Sequence, residues 1–207
     1  MTVAVLADEA LKQELLAKGF GPGTEIQWAD SLRALTTMEA DLYIDLLFEM
    51  DNERTGKLKQ LLPKPVLVNA MAFSTKSIGQ PFVRINAWPG FLQRNLIEIA
   101  LPASIDEKNI APILKQLNWQ YRTVPDIPGM ITGRVLAMII NEAYFTWGSG
   151  VSSKEEIDIA MKLGTNYPMG PFEWSKKIGL KRIYELLKEL GRTDIRYIIA
   201  PALEKEI

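Results

Sequence analysis

The chain of 207 residues contains no cysteine and no histidine. Without cysteine there is no disulfide, no thiolate nucleophile and no thiolate metal site. Without histidine the commonest general base and the commonest metal ligand are missing. Any chemistry must therefore run on carboxylates, hydroxyls, amines or a cofactor. An excess of either charge is also lacking: 24 Lys+Arg stand against 25 Asp+Glu, a net charge of −1. Nothing draws such a chain toward nucleic acid or an anionic membrane over long range. Long hydrophobic runs are missing too, since no window reaches the roughly 18 apolar residues that a membrane helix needs. The first apolar run, Val3 to Ala7, has no basic segment before it and is too short for a signal peptide. The expectation is a cytoplasmic protein with no membrane and no nucleic-acid partner. At 47% hydrophobic and 24% charged residues, the composition is that of a folded globular chain.

What is present falls into two halves. The first alternates short apolar runs with amphipathic stretches. Strands are predicted at Val3–Ala7, Glu25–Trp28, Leu42–Phe48, Val66–Val68, Phe82–Asn86, Leu96–Leu101 and Trp119–Val124. Helices are predicted at Asp8–Lys18, at a short stretch with Leu32 and Leu35 capped by Asp30 or Ser31, at about Asn52–Leu62, and at Ile105–Leu117. Strands alternating with helices imply βαβ units and a mainly parallel sheet.

From Pro128 onward the periodicity is helical. Met130–Trp147 is apolar on nearly every face, which predicts burial on all sides and, in so small a domain, a second subunit. Ser153–Glu156 is a capping box, Gly164 a helix stop, and Pro168-Met-Gly-Pro171 a rigid turn. Further helices are predicted at Phe172–Lys177, Leu180–Leu190 and Thr193–Glu204. The boundary is placed at Pro125-Asp-Ile-Pro-Gly129, giving an α/β domain over 1–124 and an all-α domain over 125–207.

The second half carries an ordered string of motifs. Asp126-Ile-Pro-Gly-Met-Ile-Thr-Gly-Arg134 begins it, and Asn141-Glu-Ala143, Glu156-Ile-Asp158 and Met161-Lys-Leu-Gly164 follow. Tyr167-Pro-Met-Gly-Pro-Phe-Glu173 and Ile178-Gly-Leu180 end it. This string closely resembles the C-terminal domain of the 3-hydroxyacyl-CoA dehydrogenase family. More faintly, Ala40–Glu49 resembles the family's third-strand segment, with Asp45 where the family carries Glu. Phe82–Ile99 resembles the segment that carries its catalytic His–Glu pair. The resemblance implies a Rossmann-like domain followed by a helical dimerisation domain, an acyl-CoA substrate class, NAD as cofactor and a place in fatty acid metabolism.

The residues that ought to carry that chemistry have changed. A dinucleotide site needs glycines after the first strand, so that the backbone can approach the pyrophosphate at a helix N-terminus. Here the strand runs directly into Asp8-Glu9, two carboxylates that would satisfy the helix end and repel an anion. Asp30 stands where a ribose-binding acid would stand, and is read first as a helix cap. Glu98 matches the family's catalytic Glu, but twelve residues earlier, where the resemblance expects His, is Asn86. An amide has no useful pKa and moves no proton. Gly133 replaces the family's substrate-polarising Asn. Asn69 fits its substrate-binding segment, while the hydroxyls of that segment are missing, with Ser74 and Ser77 nearby.

These losses point to a reduced Rossmann-like protein without a bound cofactor, a pseudoenzyme acting as a homodimer through its C-terminal helices. An acyl-CoA in the cleft between domains would be its ligand. The alternative is an active but atypical NAD-dependent dehydrogenase with Glu98 as base. A third reading is a subunit of a larger fatty-acid oxidation assembly. Lys176, Lys177, Lys181 and Arg182 read as a solvated helix face before a CoA-phosphate site, and Tyr144, Phe145 and Trp147 as core or dimer interface before an acyl pocket. A groove of Arg84, Trp88, Arg94 and Trp119 has no motif behind it. A cation site at Asp41, Asp45, Glu49 and Asp51 is disfavoured by their alternating directions along the strand.

Overall fold

The computed structural model describes residues 1–207, and each of the seven expected strand segments contains a strand in it. They are β1 (Thr2–Leu6), β2 (Glu25–Ala29), β3 (Leu42–Asp45), β4 (Val66–Val68), β5 (Val83–Ile85), β6 (Leu96–Ala100) and β7 (Gln120–Thr123). They form one sheet in the order β2-β1-β3-β4-β5-β6-β7. Every neighbouring pair is parallel except β5 with β6. The helices of this unit are α1 (Glu9–Lys18), α2 (Leu32–Thr37), α3 (Asn52–Lys59), α4 (Thr75–Ile78) and α5 (Glu107–Gln116).

Strand period explains why both sheet faces are covered. Val3, Val5, Leu42, Ile44, Ile97 and Ile99 point to one side and pack with Leu11 and Leu15 of α1 and Ile110 and Leu114 of α5. Ala4, Leu6, Tyr43, Val66 and Val68 point to the other and pack with Leu35 of α2, Leu58 of α3 and Ile78 of α4. Alternate residues of one strand thus enter two separate cores, the pattern of a doubly wound sheet.

The helix starts are fixed by side-chain caps. Asp8, Ser31, Asp51 and Ser74 each accept a backbone N–H three residues on, and Asp106 accepts one two residues on. Of the two candidates before α2, Ser31 is the cap, and Asp30 is exposed. Helix α4 was not anticipated. It is a single turn set by a capping box between Ser74 and Ser77 and ended by Gly79 at φ 71°.

The chain divides into two units at Met130 and Ile131 rather than at 124 and 125. The physical reason is a buried polar knot that holds residues 125–130 on the first unit. Arg84 is wholly buried; its Nε donates to the Ala70 carbonyl and its Nη1 to Asp126 Oδ1 at 2.7 Å and to the Ile127 carbonyl. Asp126 also accepts from the Thr75 amide at 3.0 Å and the Thr75 hydroxyl at 2.5 Å. The Gly129 amide donates to the Met71 carbonyl at 2.7 Å.

The second unit holds α6 (Thr132–Gly148), α7 (Lys154–Thr165), α8 (Pro171–Ile178), α9 (Leu180–Gly191), a 3-10 turn (Ile195–Tyr197) and α10 (Pro201–Glu204). Three expectations need correction. Helix α6 is not buried all round within the chain. It buries Leu136, Ala137, Ile140, Ala143 and Tyr144, whereas Ile131 and Val135 are half exposed. Helix α7 runs through Gly164 to Thr165 and ends at Asn166, which takes the left-handed conformation at φ 55°. The expected helix over 193–204 is a 3-10 turn and one α-turn, because Pro201 cannot continue a helix and starts a new one. Asn141, buried on α6, holds the intervening segment. Its amide donates to the Ile198 carbonyl at 2.8 Å and accepts from the Ala200 amide at 2.9 Å.

The Pro-Met-Gly-Pro turn is explained by Asp158 on α7. Its carboxylate accepts the Phe172 and Glu173 amides at 2.8 and 3.1 Å and so caps α8 from a neighbouring helix. Glu173 reaches back to the Gly170 amide at 2.8 Å. A Cβ on Gly170 would collide with the Asp158 side chain.

Two outcomes follow. Gly170→Ala is expected to cost about 3 kcal/mol in urea unfolding, because it displaces the cap and overpacks the turn. For Asp126, burial alone would raise the carboxyl, but Thr75 and Arg84 more than offset it and hold it below the usual range. Its contribution is therefore present above about pH 4 and is lost as pH falls through the depressed value. Asp126→Asn should lower stability by about 3 kcal/mol at pH 7 by stranding a buried guanidinium. The gap between wild type and variant should shrink as the urea midpoint is followed from pH 5 down to pH 3.

Candidate functional site

In a doubly wound sheet the ligand crevice lies beyond the carboxyl ends of the strands, where the strand order reverses. Here that point is β1, with β2 on one side and β3 on the other. Two residues, Ala7 and Asp8, join β1 to α1. Asp8 Oδ1 accepts the Leu11 amide at 2.8 Å, its carbonyl accepts the Lys12 amide, and Glu9 adds a second carboxylate to the first turn. Beyond β3, the Leu46 amide donates to the Leu6 carbonyl at 2.9 Å. A pyrophosphate needs free amides and an unopposed helix dipole at this place. The residues present do not fit it, because a carboxylate already fills the amide end of α1.

Next to it, Asp45 is wholly buried at the end of β3. It meets Arg54 through Nε at 2.7 Å and Nη2 at 2.6 Å, and accepts the Leu47 amide. Burial pushes its carboxyl up, against the pull of Arg54 and the Leu47 amide.

The two positions matched to the family's acid–base pair are brought together. Antiparallel pairing of β5 with β6 sets Arg84 opposite Ala100 and Ile85 opposite Ile99, so Asn86 falls opposite Glu98. The Asn86 amide N–H donates to the Glu98 carbonyl at 3.0 Å, and Asn86 Nδ2 donates to Glu98 Oε2 at 3.3 Å. Asn86 is buried and Glu98 partly exposed. The pair is a hydrogen-bonded amide and carboxylate. The amide can orient Glu98 but cannot carry its proton. The loop between these strands rests on α1, where Glu14 Oε1 accepts the Gly90 amide at 2.6 Å and Lys18 Nζ donates to the Arg94 carbonyl at 2.7 Å.

Asn69 lies in the same unit, just past β4. Its Nδ2 donates to the Leu46 and Ala87 carbonyls at 3.2 and 3.0 Å, and its Oδ1 accepts the Ala87 amide at 3.2 Å. Both of its protons are used in stitching β3, β4 and β5 together at their ends. Ser74 and Ser77 are taken up in the cap of α4. Gly133 belongs to the other unit, buried in the first turn of α6.

The groove of Arg84, Trp88, Arg94 and Trp119 does not form. Arg84 and Trp88 are buried, Trp119 donates its indole N–H to the Gly19 carbonyl, and Arg94 lies over Phe91. Burial pulls Arg84 down from its ordinary pKa, yet an arginine keeps its charge. The acidic residues near β3 also separate. Asp41 accepts the Thr2 amide, Asp45 pairs with Arg54 and Asp51 caps α3. No cluster of carboxylates is arranged for a metal ion. Sequence reasoning missed the Arg84–Asp126 knot, since 42 residues separate the partners and no motif announces them.

Comparison with known proteins bears on the same elements. Residues 129–205 match the family model for the 3-hydroxyacyl-CoA dehydrogenase C-terminal domain. The chain is 34% identical over 146 residues to a 3-hydroxybutyryl-CoA dehydrogenase of Clostridioides difficile, covering 68% of this chain and 51% of that protein. It is 38% identical over 116 residues to the 3-hydroxyadipyl-CoA dehydrogenase of Escherichia coli K12, covering 55% of this chain and 24% of that protein. The match therefore spans about half the length of the first of these relatives and about a quarter of the second. In fold it is similar to the crystal structure of (S)-3-hydroxybutyryl-CoA dehydrogenase PaaH1 from Ralstonia eutropha. The TM-score is 0.73 at 22% identity, with 99% of this chain and 92% of that one covered. The matched segment holds the Asn141 staple, the Ser153 capping box and the Asp158 cap, the local devices that build the helical unit. On these grounds the chain belongs to the 3-hydroxyacyl-CoA dehydrogenase family.

Proposed function

We propose that the chain is a 3-hydroxyacyl-CoA dehydrogenase-like protein that has lost NAD binding and hydride transfer and acts as a homodimeric acyl-CoA-binding or partner protein. The observation behind this reading is the junction of β1 and α1, where Asp8 caps the helix that would otherwise receive a pyrophosphate. The amide of Asn86 beside Glu98 supports it from the other half of the chemistry. The acyl-CoA ligand class rests on the relatives, which are named as 3-hydroxybutyryl-CoA and 3-hydroxyadipyl-CoA dehydrogenases. A soluble role in fatty acid metabolism, in the cytoplasm, goes with that ligand.

The homodimer is supported by apolar surface on the helical unit. Ile131 just before α6, Val135 on α6, and Ile159 and Leu163 on α7 are each at least half exposed. A groove of about 660 Å³ between these helices is lined by Met138, Ile139, Ile157, Ala160 and Met161. Apolar surface of this kind marks an interface more often than a solvated face.

A second reading keeps catalysis, with NAD as cofactor and Glu98 as base. It is favoured by the partial exposure of Glu98, by the Asn86 amide that holds its carboxylate, and by the dehydrogenase names of the relatives.

The assay that separates the two is NADH oxidation with acetoacetyl-CoA at high protein concentration. Turnover no greater than background is expected, with no change in Glu98→Ala and no saturable response on titrating NADH. Turnover that disappears in a folded Glu98→Ala variant would establish the second reading instead. For the assembly, sedimentation equilibrium should give a dimer for the wild type and at least about tenfold weaker association for Val135→Glu, because a charge would be buried at the seam. A monomeric wild type would overturn the dimer.

A further inference from the structure

Lys154, the first residue of α7, carries its ammonium into a set of three aromatic rings. Nζ lies 4.1 Å from the ring centroid of Trp147, 5.2 Å from that of Tyr144 and 5.3 Å from that of Phe172. The rings stand edge to face: Tyr144 against Phe172 at 4.9 Å and 63°, Tyr144 against Trp147 at 6.0 Å and 84°, and Trp147 against Phe172 at 6.4 Å and 78°. The rings pack edge to face rather than in parallel stacks, and the ammonium lies over all three.

The fourth wall is Glu206. One of its oxygens pairs with Lys154 Nζ, and the other accepts the Tyr144 hydroxyl at 2.8 Å. Burial, with the Glu206 carboxylate adding to it, pushes the Tyr144 phenol up to about 12, so it keeps the proton that it donates. Beside the cage is a cavity of about 540 Å³, lined by Tyr144, Phe145, Trp147, Ala202, Lys205 and Glu206 among others. Three of those residues also form the cage. Three aromatic faces and one carboxylate around a single point are the recognition chemistry of an organic ammonium ion.

We propose that this cage is a binding site for a small quaternary ammonium ion, that its adjoining cavity takes the ion's substituent, and that Lys154 fills the site from within the chain and thereby holds the C-terminal segment shut over it. The site is independent of the acyl-CoA reading, since every residue in it lies in the helical unit and none in the sheet. Lys154 and Glu206 keep side-chain exposures of 27% and 33%, so the lysine has a path out to solvent. A tethered lysine competes at an effective concentration on the order of millimolar, which sets how far it weakens an external ion. A quaternary ion has no N–H to donate to Glu206 and meets the carboxylate and the rings through charge alone, whereas the lysine must give up hydration to enter.

The test uses the whole chain, with tetramethylammonium chloride as the probe and sodium chloride at equal ionic strength as control. The readout is the Trp147 indole N–H resonance, assigned with Trp147→Phe. In Lys154→Ala, tetramethylammonium should shift that resonance saturably, with an apparent dissociation constant at least about tenfold below the wild-type value. Adding Glu206→Gln to that variant should raise the constant severalfold. A folded Lys154→Ala protein that responds no differently to tetramethylammonium and sodium would overturn the proposal. If Lys154→Ala does not fold, the wild type decides. The Lys154 methylene resonances, held over three rings, should move toward ordinary values as the ion displaces the side chain, and their failure to move would overturn it.

Discussion

A helix N-terminus that follows a strand at the reversal point of a parallel sheet must be satisfied by something. In dinucleotide-binding folds a glycine-rich turn leaves the amides open and a phosphate satisfies them. In this chain the Asp8 carboxylate, two residues after the strand ends, accepts one of them, the Leu11 amide. Glu9 adds a second carboxylate to the same end, and Leu11 and Leu15 hold α1 on the sheet. Helix α1 in turn supports the β5–β6 loop through Glu14 and Lys18, so the position of Asn86 and Glu98 depends on it as well.

The same economy runs through the rest of the α/β unit. Buried polar side chains near the strand ends are paired within the chain, with backbone or with other side chains. Asn69 spends both amide protons on Leu46 and Ala87. Asp45 is closed by Arg54, and Asp126 by Thr75 and Arg84. A buried polar group costs free energy unless it is paired, and each of these is paired internally.

The helical unit is built on a different principle, caps supplied across helices. Asp158 of α7 caps α8, Asn141 of α6 holds the segment before α10, and Lys154 joins the start of α7 to Glu206. The resemblance to the dehydrogenase family was legible here because these caps need particular residues at particular spacings. Ser153 with Glu156, and Gly170 with Glu173, are local pairs that a sequence displays directly.

The sequence by itself determined the seven strands, most of the helices and their caps, since apolar period and side-chain capping act over a few residues. It also determined the twelve-residue spacing of Asn86 and Glu98, which antiparallel pairing turns into a contact. Tertiary structure alone decided the rest. The cap before α2 went to Ser31 and left Asp30 in solvent. The unit boundary moved past Gly129 because Arg84 and Asp126, 42 residues apart, pair in the interior. The Lys154 cage depends on a glutamate 52 residues away. Contacts of that kind leave no local signature, because they arise only when packing has removed water from both partners and made their pairing obligatory.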